Sequence, residues 1–350
     1  GLRPVSAEPL LRVDDLRVGF VTEGGRVQAV DGVSFELAPG EVLAIVGESG
    51  SGMSVTAQTL IGLTRSPNSR IEGSVRLRGE ELIEAGDEEL REVRGEQIGM
   101  VFQDPMTSFN PVYRIGAQIA EAIRAHRPET GKAAGRERAI ELLDSVGIPN
   151  AAQRVDDYPH EFSGGMRQRA MIAMALALEP DLLIADEPTT ALDVTVQAQI
   201  LALLARLNRE RNLATILITH DLGVVAEVAD RVLVMYAGRV VERGTLDEIF
   251  YDPQHPYTWG LLGSLTRMDR ERPERLPQIS GAPPSLRNLP DGCSFRPRCP
   301  HEFGRCTELP GLDPRLADAP LHLDRCWLTP EEKRERRLVE GEIGLESPSR

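Results

Sequence analysis

Lysine is nearly missing from this chain. Of its 40 basic residues only Lys132 and Lys333 are lysines, which leaves little choice for any site that needs an ammonium group. Positive charge is scarce overall, with a formal net charge of −14. Such a surface lacks the basic face that a nucleic-acid groove needs, and it does not favour direct binding to anionic lipid. Solubility is the plain explanation for the acidity. No stretch approaches the roughly 20 apolar residues of a membrane-spanning helix. No charged start followed by an apolar run stands at the N-terminus, so no signal peptide is expected. The chain is therefore expected in the cytosol, serving any membrane process by docking onto a membrane partner. Cysteine is absent from the first 292 residues and appears four times after them. In a reducing compartment, clustered cysteines favour a metal site over disulfides.

What is present reads as alternating strands and helices. Short apolar runs at Leu16–Phe20, Val33–Leu37 and Glu41–Val46 are split by Gly and Asp turns. The last run enters a glycine-rich loop, and residues 55–61 continue as a helix. Residues 71–78 and 98–102 are further strand candidates. Between Asn110 and Gly147 the apolar residues Ile115, Ile119 and Ile123 recur at four-residue spacing, a helical pattern. Residues 166–178 and 194–209 read as helices, 182–185 and 214–218 as buried strands. This alternation predicts a parallel sheet covered on both faces, with a helical subdomain inserted at about 110–180. Composition shifts near Tyr251, where proline becomes frequent and strand patterns fade. The expected organisation is a main domain over 10–250, a second unit over 251–328, and a charged, flexible tail over 329–350. There is no internal repeat.

The glycine-rich loop reads Gly47-Glu-Ser-Gly-Ser-Gly-Met53-Ser54. Its small residues let consecutive backbone N–H groups turn inward around a phosphate, and the following helix adds its positive end. Ser54 offers a hydroxyl to Mg²⁺. In the pattern G-x-x-x-x-G-K-S/T a lysine reaches the β- and γ-phosphates; here Met53 occupies that place. Alone, such a loop would be weak evidence. Four further features strengthen it. Leu182-Leu-Ile-Ala-Asp186-Glu187 is a buried strand ending on two acids, with Asp186 suited to Mg²⁺ and Glu187 to orienting or deprotonating an attacking water. Ser163-Gly-Gly-Met-Arg-Gln opens a helix, which is a ready anion site. Gln103 and His220 each follow a strand end, where ligands bind in sheets of this kind.

Together these segments resemble the nucleotide-binding subunit of an ABC transporter, and most closely the ATPases of dipeptide and oligopeptide importers. The resemblance is carried by Val101-Phe-Gln103-Asp-Pro-Met-Thr-Ser-Phe-Asn-Pro111, Tyr158-Pro-His-Glu-Phe-Ser163-Gly-Gly-Met-Arg-Gln-Arg169, Ala185-Asp-Glu-Pro-Thr-Thr-Ala-Leu-Asp193, Ile218-Thr-His220-Asp-Leu and His255-Pro-Tyr-Thr258. It runs from about Leu10 to Leu328. It implies an α/β P-loop NTPase cassette with a RecA-like parallel-sheet core, an antiparallel β subdomain, an inserted α-helical subdomain and a small Cys-containing C-terminal domain. It implies that Phe20 stacks on adenine and that Gly47, Glu48, Ser49, Gly50, Ser51, Gly52, Met53, Ser54 and Val55 hold the nucleotide. Ser54, Gln103 and Asp186 would serve Mg²⁺. Ser163, Gly164, Gly165 and Met166 would cap the γ-phosphate of a nucleotide held by a partner cassette, and Asp193 would lie on the dimer seam. Glu187, His220 and Gln103 would be catalytic. The implied assembly is two membrane permease subunits, a second and paralogous ATP-binding subunit, and an extracytoplasmic binding protein, with this chain on the cytoplasmic face. The implied cargo is peptide, with nickel or another small solute as the alternative.

Two features qualify the resemblance. Met53 has about the reach of lysine without its charge, so weaker ATP binding and strongly reduced hydrolysis are expected at this site. A nucleotide-gated subunit without turnover is the competing expectation, opposed by intact Glu187 and His220. The cysteines run Cys293-x5-Cys299-x6-Cys306-x19-Cys326. Four thiolates suit zinc or an iron–sulfur cluster; the tight pairs usual for zinc are absent, so a 4Fe–4S cluster is the expectation, with Zn²⁺ and then free thiols as the alternatives.

Overall fold

The computed structural model describes residues 8–190, 192–264 and 279–339. Among the described residues twelve strands form two sheets. The first is antiparallel, built from β1 (Leu11–Thr22), β2 (Gly25–Leu37), β4 (Ser69–Leu77) and the short β5 (Glu80–Glu81), in the order β2-β1-β4-β5. The second contains β3 (Val42–Val46), β6 (Ile98–Val101), β7 (Leu182–Asp186), β8 (Ala214–Thr219), β9 (Arg231–Tyr236), β10 (Arg239–Thr245), β11 (Asp313–Pro314) and β12 (Leu323–Asp324). Its order is β11-β12-β10-β9-β3-β8-β7-β6.

The run β9-β3-β8-β7-β6 is parallel throughout. That explains why β3, β7 and β8 are apolar or small along nearly their whole length: both faces are covered, so no polar alternation survives. One face packs with the antiparallel sheet and the helix Met53–Leu60. The other packs with the helical insert and the helix Val194–Arg211. The insert comprises the helices Ile115–His126, Lys132–Ser145, Ala151–Arg154 and Gly164–Ala175. Ile115, Ile119 and Ile123 lie buried along one stripe, as their spacing requires.

Two features depart from the sequence reading. The hairpin β9–β10 has no counterpart in it. Ala237 and Gly238 join the strands with positive φ at both positions, the turn geometry that matches strand twist. The change of composition near Tyr251 also does not end the sheet. β12 pairs with β10, and Tyr257 and Phe295 pack with Tyr236, so the later segment completes the core. The flexible tail expected from 329 is corrected in its first part. Residues Pro330–Val339 are helical, and Lys333 is fully buried against Asp324 at 2.7 Å. The remainder of that tail, 340–350, lies outside the described residues.

Candidate active site

The register of the parallel strands assembles the site. Val46 pairs with Thr219, Asp186 with Ile218, and Val101 with Ala185. The residues just beyond these pairs therefore emerge along one edge of the sheet: Gly47, His220, Glu187 and Gln103.

Gly47–Ser54 forms the turn between β3 and the helix Met53–Leu60. Gly52, capping that helix, has φ 100°, and a Cβ there would stand 2.4 Å from the Ala29 carbonyl oxygen. Only glycine satisfies both conditions. Ser49 and Gly50 are exposed at the tip. Met53 is 5% exposed and joins the apolar cluster with Leu43, Ile45 and Ala57. Its side chain thus serves as core packing at a place where the usual pattern sets a cation.

Ser54 Oγ donates to Asp186 Oδ1 at 3.0 Å. Burial pushes the Asp186 carboxyl above the usual carboxylate range; the Ser54 hydroxyl opposes this and the Glu187 charge adds to it. A divalent cation beside these two oxygens would relieve the cost of the buried charge, so the pair fits Mg²⁺.

Glu187 has φ 47°, an uncommon conformation for a residue with a Cβ, and its N–H donates to the Ile218 carbonyl at 2.8 Å. The carboxylate is gripped from three sides. Gln103 Nε2 and Thr190 Oγ1 each donate to Oε2 at 2.8 Å, and His220 Nδ1 lies 3.2 Å from Oε1. Gln103 and His220 are thus brought onto Glu187, while Thr190 was not singled out by sequence. Its position three residues beyond an acid at a turn is the signal that could have found it.

Ser163 caps the helix Gly164–Ala175, accepting the Met166 N–H at 3.3 Å. Asp193 caps the helix Val194–Arg211 through the Val196 N–H at 3.0 Å. The two caps are neighbours, since a Cβ on Gly165 would stand 2.6 Å from Val196 Cγ1. Ser163, Gly164 and Asp193 are exposed. Phe20 is half-buried on β1, packed against the first core cluster, with Val55 also packed against it.

The four cysteines are free and line one cavity together with His301 and Trp327. Burial raises the Cys293 thiol and pushes those of Cys299 and Cys326 up to about 12. Among the described residues no group of three or more His, Cys, Asp or Glu is arranged to hold a metal ion. Cys293, Cys299, Cys306 and Cys326, expected to hold a metal centre, thus converge on one cavity.

The sequence profile of ABC transporters matches residues 30–190, and that of the C-terminal region of oligopeptide/dipeptide transporters matches 241–306. The chain is 53% identical over 329 residues to the oligopeptide transport ATP-binding protein OppD of Salmonella typhimurium, covering 94% of this chain and 96% of the relative. It is 50% identical over 337 residues to the dipeptide transport ATP-binding protein DppD of Bacillus subtilis, covering 96% and 99%. The chain belongs to the ATP-binding subunits of the oligopeptide/dipeptide ABC transporter family. A bacterial ABC transporter cassette solved as a dimer shares its fold at a TM-score of 0.61 and 27% identity, over 67% of this chain and 98% of the other. The same scores hold for a dimeric ATP-binding cassette solved with ADP and Pi after hydrolysis. The ATP-binding subunit described here is thus an ABC-type ATPase with a cassette fold. Among its described residues no helix is long and apolar enough to cross a membrane.

Proposed function

We propose that this chain energises import of di- or oligopeptides, working at the cytoplasmic face as one half of a cassette dimer beneath two permease subunits. Its family membership and the names of its relatives support peptide cargo. Cargo choice rests with the permeases and an extracytoplasmic binding protein, so nickel or another small solute is the alternative. The single observation that carries the catalytic reading is the grip of Gln103, Thr190 and His220 on Glu187 at the edge where the phosphate loop emerges. Glu187 would take a proton from the attacking water, and His220 and Gln103 would hold its carboxylate in place. Mg²⁺, bound with ATP beside Ser54 and Asp186, would neutralise phosphate charge. Phe20 would stack on the base. Ser163, Gly164 and Asp193, exposed at adjoining helix starts, with the half-buried Gly165 and Met166 behind them, would close over a nucleotide held by the second cassette.

Met53 divides the two composite sites of such a dimer. At its own site the chain lacks the cation that meets the transferring phosphate. At the other it supplies only Ser163–Met166, and the partner's loop does the chemistry. A paralogous partner with an intact loop follows from this reading. Purified with its partner, the Met53→Lys variant should hydrolyse ATP faster, by roughly 10²–10³ at this site. Equal turnover of the two forms would refute impairment by Met53.

The convergence of four thiols on one cavity supports a further part of the proposal, that they hold a 4Fe–4S cluster of structural role. When bound, the cluster would supply cross-linking of the C-terminal loops. Anaerobically purified protein should carry iron and sulfide with visible absorption. Cys326→Ser should lose both. Protein free of iron and sulfide after anaerobic reconstitution would count against the cluster, and stoichiometric zinc would favour the alternative.

A further inference from the structure

The C-terminal region reaches into the phosphate-binding loop at one residue, Glu48. Arg298 grips that carboxylate with both ends of its guanidinium, Nη1 to Oε2 at 2.6 Å and Nη2 to Oε1 at 3.0 Å. Its Nε donates to the Ser280 carbonyl at 2.9 Å and Nη2 to that of Gly281 at 3.1 Å, so the fork is anchored from behind. The Arg298 side chain is only 5% exposed. The Glu48 backbone is held as well, its N–H donating to Tyr257 Oη at 2.8 Å. Tyr257 and Tyr236 pack at 4.6 Å between ring centres, and Phe295, three residues before Arg298, closes on both.

Two physical consequences follow. A carboxylate inside a loop that must wrap phosphate is electrostatically unfavourable unless it is neutralised, and more so in a loop whose lysine position is Met53. A bidentate, well-anchored pair also fixes where the loop's second residue sits, from which the amides that follow take their direction. We propose that Arg298 is a positioning residue for the nucleotide site, acting through Glu48 to hold the phosphate loop in its binding shape and to cancel the negative charge that loop carries. Arg298 acts through the Glu48 carboxylate, so the C-terminal region sets how well Gly47–Ser54 receives ATP. This rests on the reading of Gly47–Ser54 as the nucleotide site.

The test is a double-mutant cycle on the full chain, with Mg·ATP titrated calorimetrically and melting temperature recorded for every variant. Arg298→Gln should weaken Mg·ATP binding about tenfold, since coupling energies of contacting groups are of this order. In the Glu48→Gln background the same change should cost less than about threefold. Arg298→Lys, which keeps charge but not the fork, should fall between, and it carries the comparison should Arg298→Gln not fold. An unchanged affinity with a lowered melting temperature would reduce Arg298 to a structural tie and overturn the inference, as would an equal loss in both backgrounds. The underlying reading fails separately: neither the parent chain nor Met53→Lys would then bind Mg·ATP at all.

Discussion

Glu187 is the most constrained side chain of the site, with both carboxylate oxygens engaged and its backbone in a conformation that β-carbons disfavour. Constraint of that kind persists where geometry matters more than local stability. Glu187→Gln keeps the shape and removes the base. In the Met53→Lys background it should lower the hydrolysis rate by about 10²–10⁴ while leaving ATP affinity within a few-fold, measurable by steady-state turnover beside calorimetry. The strand-end acids, Gln103 and His220 were legible in sequence because each stands at the end of a recognisable apolar run. Besides Thr190, two things were not legible. Glu48 was placed in the nucleotide loop by resemblance, but its tie to Arg298 could not be read, since the two lie 250 positions apart. Met53 was legible as a missing charge but not as core packing, because only the fold decides which way an unbranched side chain turns.

Elements with strong periodicity were legible as well. The stripe Ile115, Ile119, Ile123 and the buried runs of β3, β7 and β8 announce themselves by pattern alone. The closing helix Pro330–Val339 did not, for its composition is that of a solvated tail. What holds it is one buried ion pair, Lys333 Nζ to Asp324 Oδ1, with both side chains fully buried, and a second contact from Arg337 to Asp252. A sequence reading weighs charge as exposure and has no means of pairing Lys333 with a particular acid. Removing one partner leaves the other charge buried and uncompensated. Lys333→Met should therefore cost about 3–5 kcal/mol in denaturant unfolding, and Lys333→Met with Asp324→Leu should recover most of it. An equal cost in single and double variants would mean that packing, not charge, holds the helix.

At the scale of the whole molecule, the boundary drawn at Tyr251 from composition falls within one shared apolar cluster. β12 extends the sheet beside β10, and Tyr257, Leu262 and Phe295 cover the apolar residues Tyr236, Val241 and Phe250. A chain ending at Tyr251 would leave that face bare, and it should bind a hydrophobic dye more strongly and aggregate more readily than the intact chain. A soluble, monomeric truncation that binds Mg·ATP as the parent does would show the boundary to be real. The tie between Glu48 and Arg298 has a bearing on ancestry too. Two halves joined by an acid in one and a base in the other are inherited as a matched pair. Recombination that exchanged the later third between paralogues would succeed only where both sides carried the same pairing, so chimaeric descendants should be viable in matched combinations and silent in the rest.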